Sequence, residues 1–183
     1  DDACGTALAG ALKANRTLTH LGLGSNKLGV EGGTALAGAL ATSTSLTSLD
    51  LASNELAGDQ EETSYVKASE VSGASKAVGA KVTYEGRAMV VTQVHSDGKH
   101  IRMRPVADPS GVQALATALG ANASLLRLVL SGNGLDDACG TALAGALKAN
   151  RTLTYMDSSS NSIGHEGMRA IGTSLLGSTA SKL

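Results

Sequence analysis

His95 and His100 flank Asp97-Gly98 in the stretch HSDGKH, and two imidazoles at that spacing face each other across a tight turn as a metal-binding pair would. A zinc site needs more than two ligands. With no third ligand placed, the pair reads as polar flanks of a turn, and neither a metal nor another cofactor is expected. Lys99, His100, Arg102 and Arg104 crowd positive charge onto the same stretch, a pattern that suits phosphate or RNA. Segment 59–109 nevertheless holds seven Lys/Arg against seven Asp/Glu, with neither Phe nor Trp for base stacking. Nucleic acid is therefore the alternative partner, and a solvated hairpin the simpler reading.

Other reactive residues are explained by repetition. DDACGTALAGALKANRTLT occupies residues 1–19 and returns letter for letter at 136–154, so Cys4 and Cys139 are copies of one small packing residue. Asn15, Asn122 and Asn150 head Asn-x-Thr/Ser triplets, yet all three hold the same position where a helix ends. A left-handed helix terminus explains them without glycosylation. No phosphate-binding loop, nucleophile elbow, zinc-protease or dinucleotide motif occurs, and no enzyme is expected.

Composition narrows the class. Apolar residues make up 42% of the 183, but Phe and Trp are absent, and Tyr65, Tyr84 and Tyr155 are the three aromatic rings apart from His. The core must come from Leu, Ala and Val. A formal charge of −1 offers nucleic acid or an anionic membrane no whole-chain attraction. No apolar run approaches the roughly 18 residues that span a bilayer. The sequence begins at Asp1 without a charged-then-apolar leader, so a signal peptide is expected to be absent or removed. Ser181-Lys182-Leu183 is a peroxisomal address if it is the native C-terminus; otherwise the expected location is the cytoplasm or an organelle.

The elements that carry these residues follow from a 28-residue period. Leu18, Leu21 and Leu23 recur as Leu46, Leu49 and Leu51, then as Leu125, Leu128 and Leu130, and last as Leu153, Met156 and Ser158. Each stretch closes on an asparagine: Asn26, Asn54, Asn133 and Asn161. After it come a turn and helically spaced apolar residues such as Ala35, Leu36, Ala39 and Leu40. Asn54 to Asn133 is 79 residues, which is one period of 28 plus 51, so a foreign segment interrupts that unit. The 135 residues between the 19-mers, less three periods (84), leave the same 51.

The L-x-x-L-x-L-x-x-N pattern closing on a helix resembles the leucine-rich repeat in its longer ribonuclease-inhibitor-like form, and the Ala/Gly-rich copies resemble NOD-like-receptor-type repeats. The resemblance implies an α/β solenoid with parallel strands on a concave face and helices outside, spanning 1–58 and 110–183 with a degenerate last repeat. The intervening 59–109 is a small β-rich insertion. Its VG-x-K-V-x-Y-x-G-R opening is similar to SH3-like barrels of the KOW or Tudor kind, and its strands carry Val82/Tyr84, Val90/Thr92/Val94 and Ile101/Met103. Asp97-Gly98 marks a hairpin, and Asp108-Pro109-Ser110 reads as N-cap and first helical turn of the resumed repeat.

Such repeats bind proteins, so a non-enzymatic interaction or scaffold module is expected, with protein partners and a place in a larger assembly. Outward residues stack in columns: His20, Ser48, Arg127 and Tyr155 in one, Gly22, Asp50, Val129 and Asp157 in the next. His20, Asp50, Arg127, Tyr155 and Asp157 are the candidate protein contacts. The four ladder asparagines have a structural role, bonding the turn backbone.

Overall fold

A computed structural model describes residues 2–59 and 61–177; Ser181-Lys182-Leu183 lies outside the described residues. In chain order the elements are α1 (Asp2–Ala14), β1 (His20–Gly22), α2 (Gly29–Leu40), β2 (Ser48–Asp50), β3 (Val66–Lys67), a 3-10 turn (Ala68–Glu70), β4 (Lys81–Tyr84), β5 (Arg87–Val94), β6 (His100–Pro105), α3 (Ser110–Ala121), β7 (Arg127–Val129), α4 (Asp137–Ala149), β8 (Tyr155–Asp157) and α5 (His165–Gly177). They separate into two compact units, an array of residues 1–58 with 108–183 and an insert of residues 59–107. No described helix is long and apolar enough to cross a membrane.

In the array, β1, β2, β7 and β8 form one parallel sheet in that order. Each strand is three residues long, the middle Leu or Met of the repeat with its two outward neighbours, and the chain leaves the sheet before the asparagine turn. The 28-residue spacing puts leucine beside leucine: Leu21 pairs with Leu49, Leu49 with Leu128, and Leu128 with Met156. Leu46, Leu49, Leu51, Leu125, Leu128 and Leu130 are all no more than 1% exposed. Leu18 on the edge unit is 37% exposed, since it has a neighbouring repeat on one side alone.

Glycine governs how closely the helices pack. A Cβ on Gly5 would lie 2.7 Å from the Cα of Gly32, and one on Gly140 would lie 2.9 Å from the Cα of Gly167. The copied glycine thus meets the next helix backbone to backbone. α3 begins at Ser110 with Pro109 in the capping position, one residue later than the sequence suggests, and Asp108 Oδ1 accepts from the Ser110 N–H at 2.9 Å. Asp108 belongs to the array rather than to the insert, because its N–H donates to Ala57 O at 2.9 Å.

The insert is an antiparallel four-stranded sheet in the order β3-β6-β5-β4. Its core is Val71, Val82, Met89, Val91, Ile101 and Met103. The alternation on β5 is shifted by one residue from the expected Val90/Thr92/Val94 face: Met89 and Val91 are buried, and Val94 is 38% exposed. Val91 pairs with Met103, and an irregularity between Val91 and Gln93 resets the register toward the turn. β4 and β5 are joined by Glu85-Gly86, both at positive φ, the geometry of a tight two-residue hairpin.

Candidate functional site

The sheet register brings the outward columns together as the repeat spacing requires. His20, Ser48, Arg127 and Tyr155 are consecutive partners across the four strands, and Gly22, Asp50, Val129 and Asp157 form the parallel row. His20, Arg127 and Tyr155 are exposed, Asp50 and Asp157 half-buried. The guanidinium of Arg127 lies over the Tyr155 ring, 3.8 Å from its centroid, close enough for a cation–π contact. That stack joins a cation and a ring into one amphipathic knob.

The acids of the second row are partly committed elsewhere. Asp50 Oδ1 accepts from Ala52 N–H and Asp157 Oδ1 from Ser159 N–H, each at 2.9 Å, so both carboxylates brace the turn leaving their strand. Bonds from the Ser159 backbone and hydroxyl, with Arg127 nearby, hold the Asp157 carboxyl below its ordinary range. His20 Nδ1 lies 2.8 Å from the Thr19 hydroxyl.

Behind this face runs the asparagine ladder. Asn54 Oδ1 accepts from Asn26 N–H at 3.0 Å, Asn133 Oδ1 from Asn54 N–H at 2.9 Å, and Asn161 Oδ1 from Asn133 N–H at 2.8 Å. Each amide therefore bonds the turn of the preceding repeat. Left-handed backbone occurs on either side of these residues, at Ser25 and Lys27, Ser53 and Glu55, and Gly132 and Gly134.

Asn122 and Asn150, by contrast, are extended at φ −71° and −68°, which corrects the left-handed role expected for their position. Hydrogen bonding selects asparagine there. Asn150 Nδ2 donates to Leu119 O at 2.7 Å and Asn122 O at 3.0 Å, while its Oδ1 accepts from Thr152 and Leu153 N–H. Asn122 repeats the pattern against Leu40 O and Ser43 O. At 5% exposure each, with Nδ2 engaged, neither side chain offers a glycosylation site. The sequence signal for this second ladder was the shared repeat position itself.

On the insert, His100, Arg102 and Arg104 share the face of β6 opposite the buried Ile101 and Met103, and Lys99 sits in the turn before them. Arg102 is committed locally: it stacks on the Tyr65 ring at 4.7 Å and approaches Glu62 at 3.9 Å. An open groove of about 410 Å³ is lined by Lys67, Ala68, Ser69, Gly98, Lys99 and His100. At the hairpin tip, Asp97 Oδ2 lies 2.6 Å from His100 Nδ1 and 3.3 Å from His95 Nδ1. The ligand pair of the sequence thus acquires a carboxylate between its members. Lys99 N–H and the His100 imidazole, together with His100 and His95 contacts, hold Asp97 far below the ordinary carboxylate range.

Two remaining features carry no chemistry. Burial pushes the Cys139 thiol up to about 12, which leaves it protonated and inert at neutral pH. A groove of about 730 Å³ between α3 and α4 is lined by Ala, Gly and Thr with Gln113, none of them titratable.

Comparison with known proteins follows the same outline. The family model described as Leucine Rich repeat matches residues 14–37, 42–59, 121–144 and 149–172, with residues 60–120 between the second and third matches. Among solved structures, one titled Leiomodin-1 Actin-Binding Site 2 is similar at 14% identity and a TM-score of 0.53, covering 97% of this chain and 73% of that one. No curated protein matches the sequence. Leucines in register, an asparagine ladder behind them and a family match within each of the four units all fit a leucine-rich-repeat array.

Proposed function

We propose that the array is a protein-interaction module whose contact surface is the outward face of its parallel sheet, centred on the Arg127–Tyr155 stack. The carrying observation is that stack: an exposed arginine on an exposed ring, in a face that also carries the small residues Gly22 and Ser48. Binding energy at interfaces concentrates in Tyr, Trp and Arg, and pre-stacking lowers the entropy lost on docking. Asp157 in the next row gives the surface both signs of charge, which favours a polar protein epitope. The 28-residue period with a helix after each asparagine supports the ribonuclease-inhibitor-like class, and the antiparallel sheet of the insert supports an SH3-like module.

The test is affinity capture from a source extract, followed by titration of the captured protein against variants. Arg127→Ala and Tyr155→Ala are each expected to weaken binding by about 1–3 kcal/mol with the fold intact. Arg102→Ala/Arg104→Ala is expected to leave it unchanged. If the second pair alone weakens binding, the sheet-face reading fails; salt-sensitive RNA binding lost in that pair would replace it with the nucleic-acid reading.

A further inference from the structure

We propose that His95, Asp97 and His100, at the hairpin tip between β5 and β6, form a binding site for a divalent transition-metal ion of the zinc class. The ligand atoms would be His95 Nδ1, Asp97 Oδ2 and His100 Nδ1. One ligand atom from each of the three residues lies within 4.8 Å of the others.

The separations suit such an ion. Bonds of about 2.0–2.1 Å in tetrahedral array place neighbouring ligand atoms about 3.3 Å apart. His95 Nδ1 and Asp97 Oδ2 already stand at 3.3 Å. His100 Nδ1 and Asp97 Oδ2 stand at 2.6 Å, a hydrogen-bond distance. Replacing the shared proton by a metal lengthens that edge by less than an ångström, which a small imidazole rotation supplies.

Backbone geometry holds the ligands in place beforehand. His95 N–H donates to His100 O at 2.8 Å, closing the ladder at the tip and bringing the two histidines opposite each other. Asp97 Oδ1 accepts from Lys99 N–H at 2.8 Å and His100 N–H at 3.1 Å, which leaves Oδ2 directed at the imidazoles. Tyr65 packs edge-on against His95 with centroids 5.1 Å apart and limits how far that ring turns. Partners of this kind orient a ligand and raise metal affinity.

Two imidazoles and one carboxylate favour zinc, copper, nickel or iron(II) over magnesium and calcium, which prefer all-oxygen sets. The side chains keep 47%, 36% and 38% of their surface, so three protein ligands leave at least one coordination position to water or to a group on a partner. The competing explanation is a surface turn in which Asp97 simply hydrogen-bonds both histidines.

Titrating Zn²⁺ into the full chain in a non-chelating buffer, by calorimetry, separates the two. One saturable site is expected, with Mg²⁺ and Ca²⁺ giving none. Asp97→Asn, which keeps the Oδ1 acceptor for the turn, and His95→Ala/His100→Ala are each expected to weaken Zn²⁺ binding at least about tenfold. Cys4→Ser and His165→Ala should leave it unchanged. In the unaltered protein, Zn²⁺ should shift the imidazole NMR resonances of His95 and His100 and spare those of His20 and His165. Absence of saturable Zn²⁺ binding, its persistence in the double variant, or shifts confined to His20 or His165 would overturn the proposal.

Discussion

Asn133 is 1% exposed and uses its amide in full. Nδ2 donates to Leu51 O, Leu130 O and Ser131 O at 2.8, 3.0 and 3.2 Å, while Oδ1 accepts from Asn54 N–H at 2.9 Å and Leu56 N–H at 3.3 Å. A buried polar group deprived of its partner costs about 1–3 kcal/mol, and truncation here strands several backbone groups on two adjacent repeats. Asn133→Ala is therefore expected to destabilise the array by at least about 3 kcal/mol, read as a lower urea midpoint. Asn26→Ala should cost clearly less, since Asn26 is exposed and water can take over its contacts. Equal losses at both positions would deny the ladder its role.

Helix packing decides the sign of glycine substitutions. Within α4, Gly140 faces Gly167 Cα and Ile163 Cγ2, each 2.9 Å from where a Cβ would stand, whereas Gly145 has nothing within 4 Å. Alanine gains about 1 kcal/mol over glycine in a helix interior. At Gly145 that gain stands alone, so Gly145→Ala is expected to raise stability by up to about 1 kcal/mol. At Gly140 the added methyl must push a neighbouring backbone, and overpacking costs about 1–3 kcal/mol. Gly140→Ala should therefore lower the thermal midpoint while Gly145→Ala raises it. A rise in both would mean that α4 and α5 do not approach this closely.

At the scale of the molecule, the array's hydrogen bonding continues across the point where the insert departs. Asp108 N–H donates to Ala57 O at 2.9 Å, and Leu56 N–H reaches Asn133 Oδ1, so the two flanks of the insert belong to one repeat. Insertions are tolerated where the host backbone already closes on itself. Deleting residues 59–107 and joining Gly58 to Asp108 is expected to leave a helical circular-dichroism spectrum and cooperative unfolding, with partner binding retained and Zn²⁺ binding lost. Non-cooperative unfolding of the shortened chain would show that the array depends on its insert.

The sequence by itself determined the 28-residue period, the strand–asparagine–helix order, the pairing of leucine with leucine and the adjacency of Arg127 to Tyr155. All of these follow from copying one unit along the chain, because equivalent positions in stacked repeats must become neighbours. Tertiary structure alone decided what depends on local backbone geometry and distant partners. Asn122 bonds carbonyls 79 and 82 residues earlier, so its motif pointed to a helix end while its function lay in the preceding repeat. Met89 and Val91 face the insert core because β5 pairs Val91 with the buried Met103, a register that composition does not show. Asp97 joins the two histidines because its other oxygen is held by the turn's own N–H groups. Arg127 lies flat on Tyr155 through side-chain rotamers that a one-dimensional period leaves open.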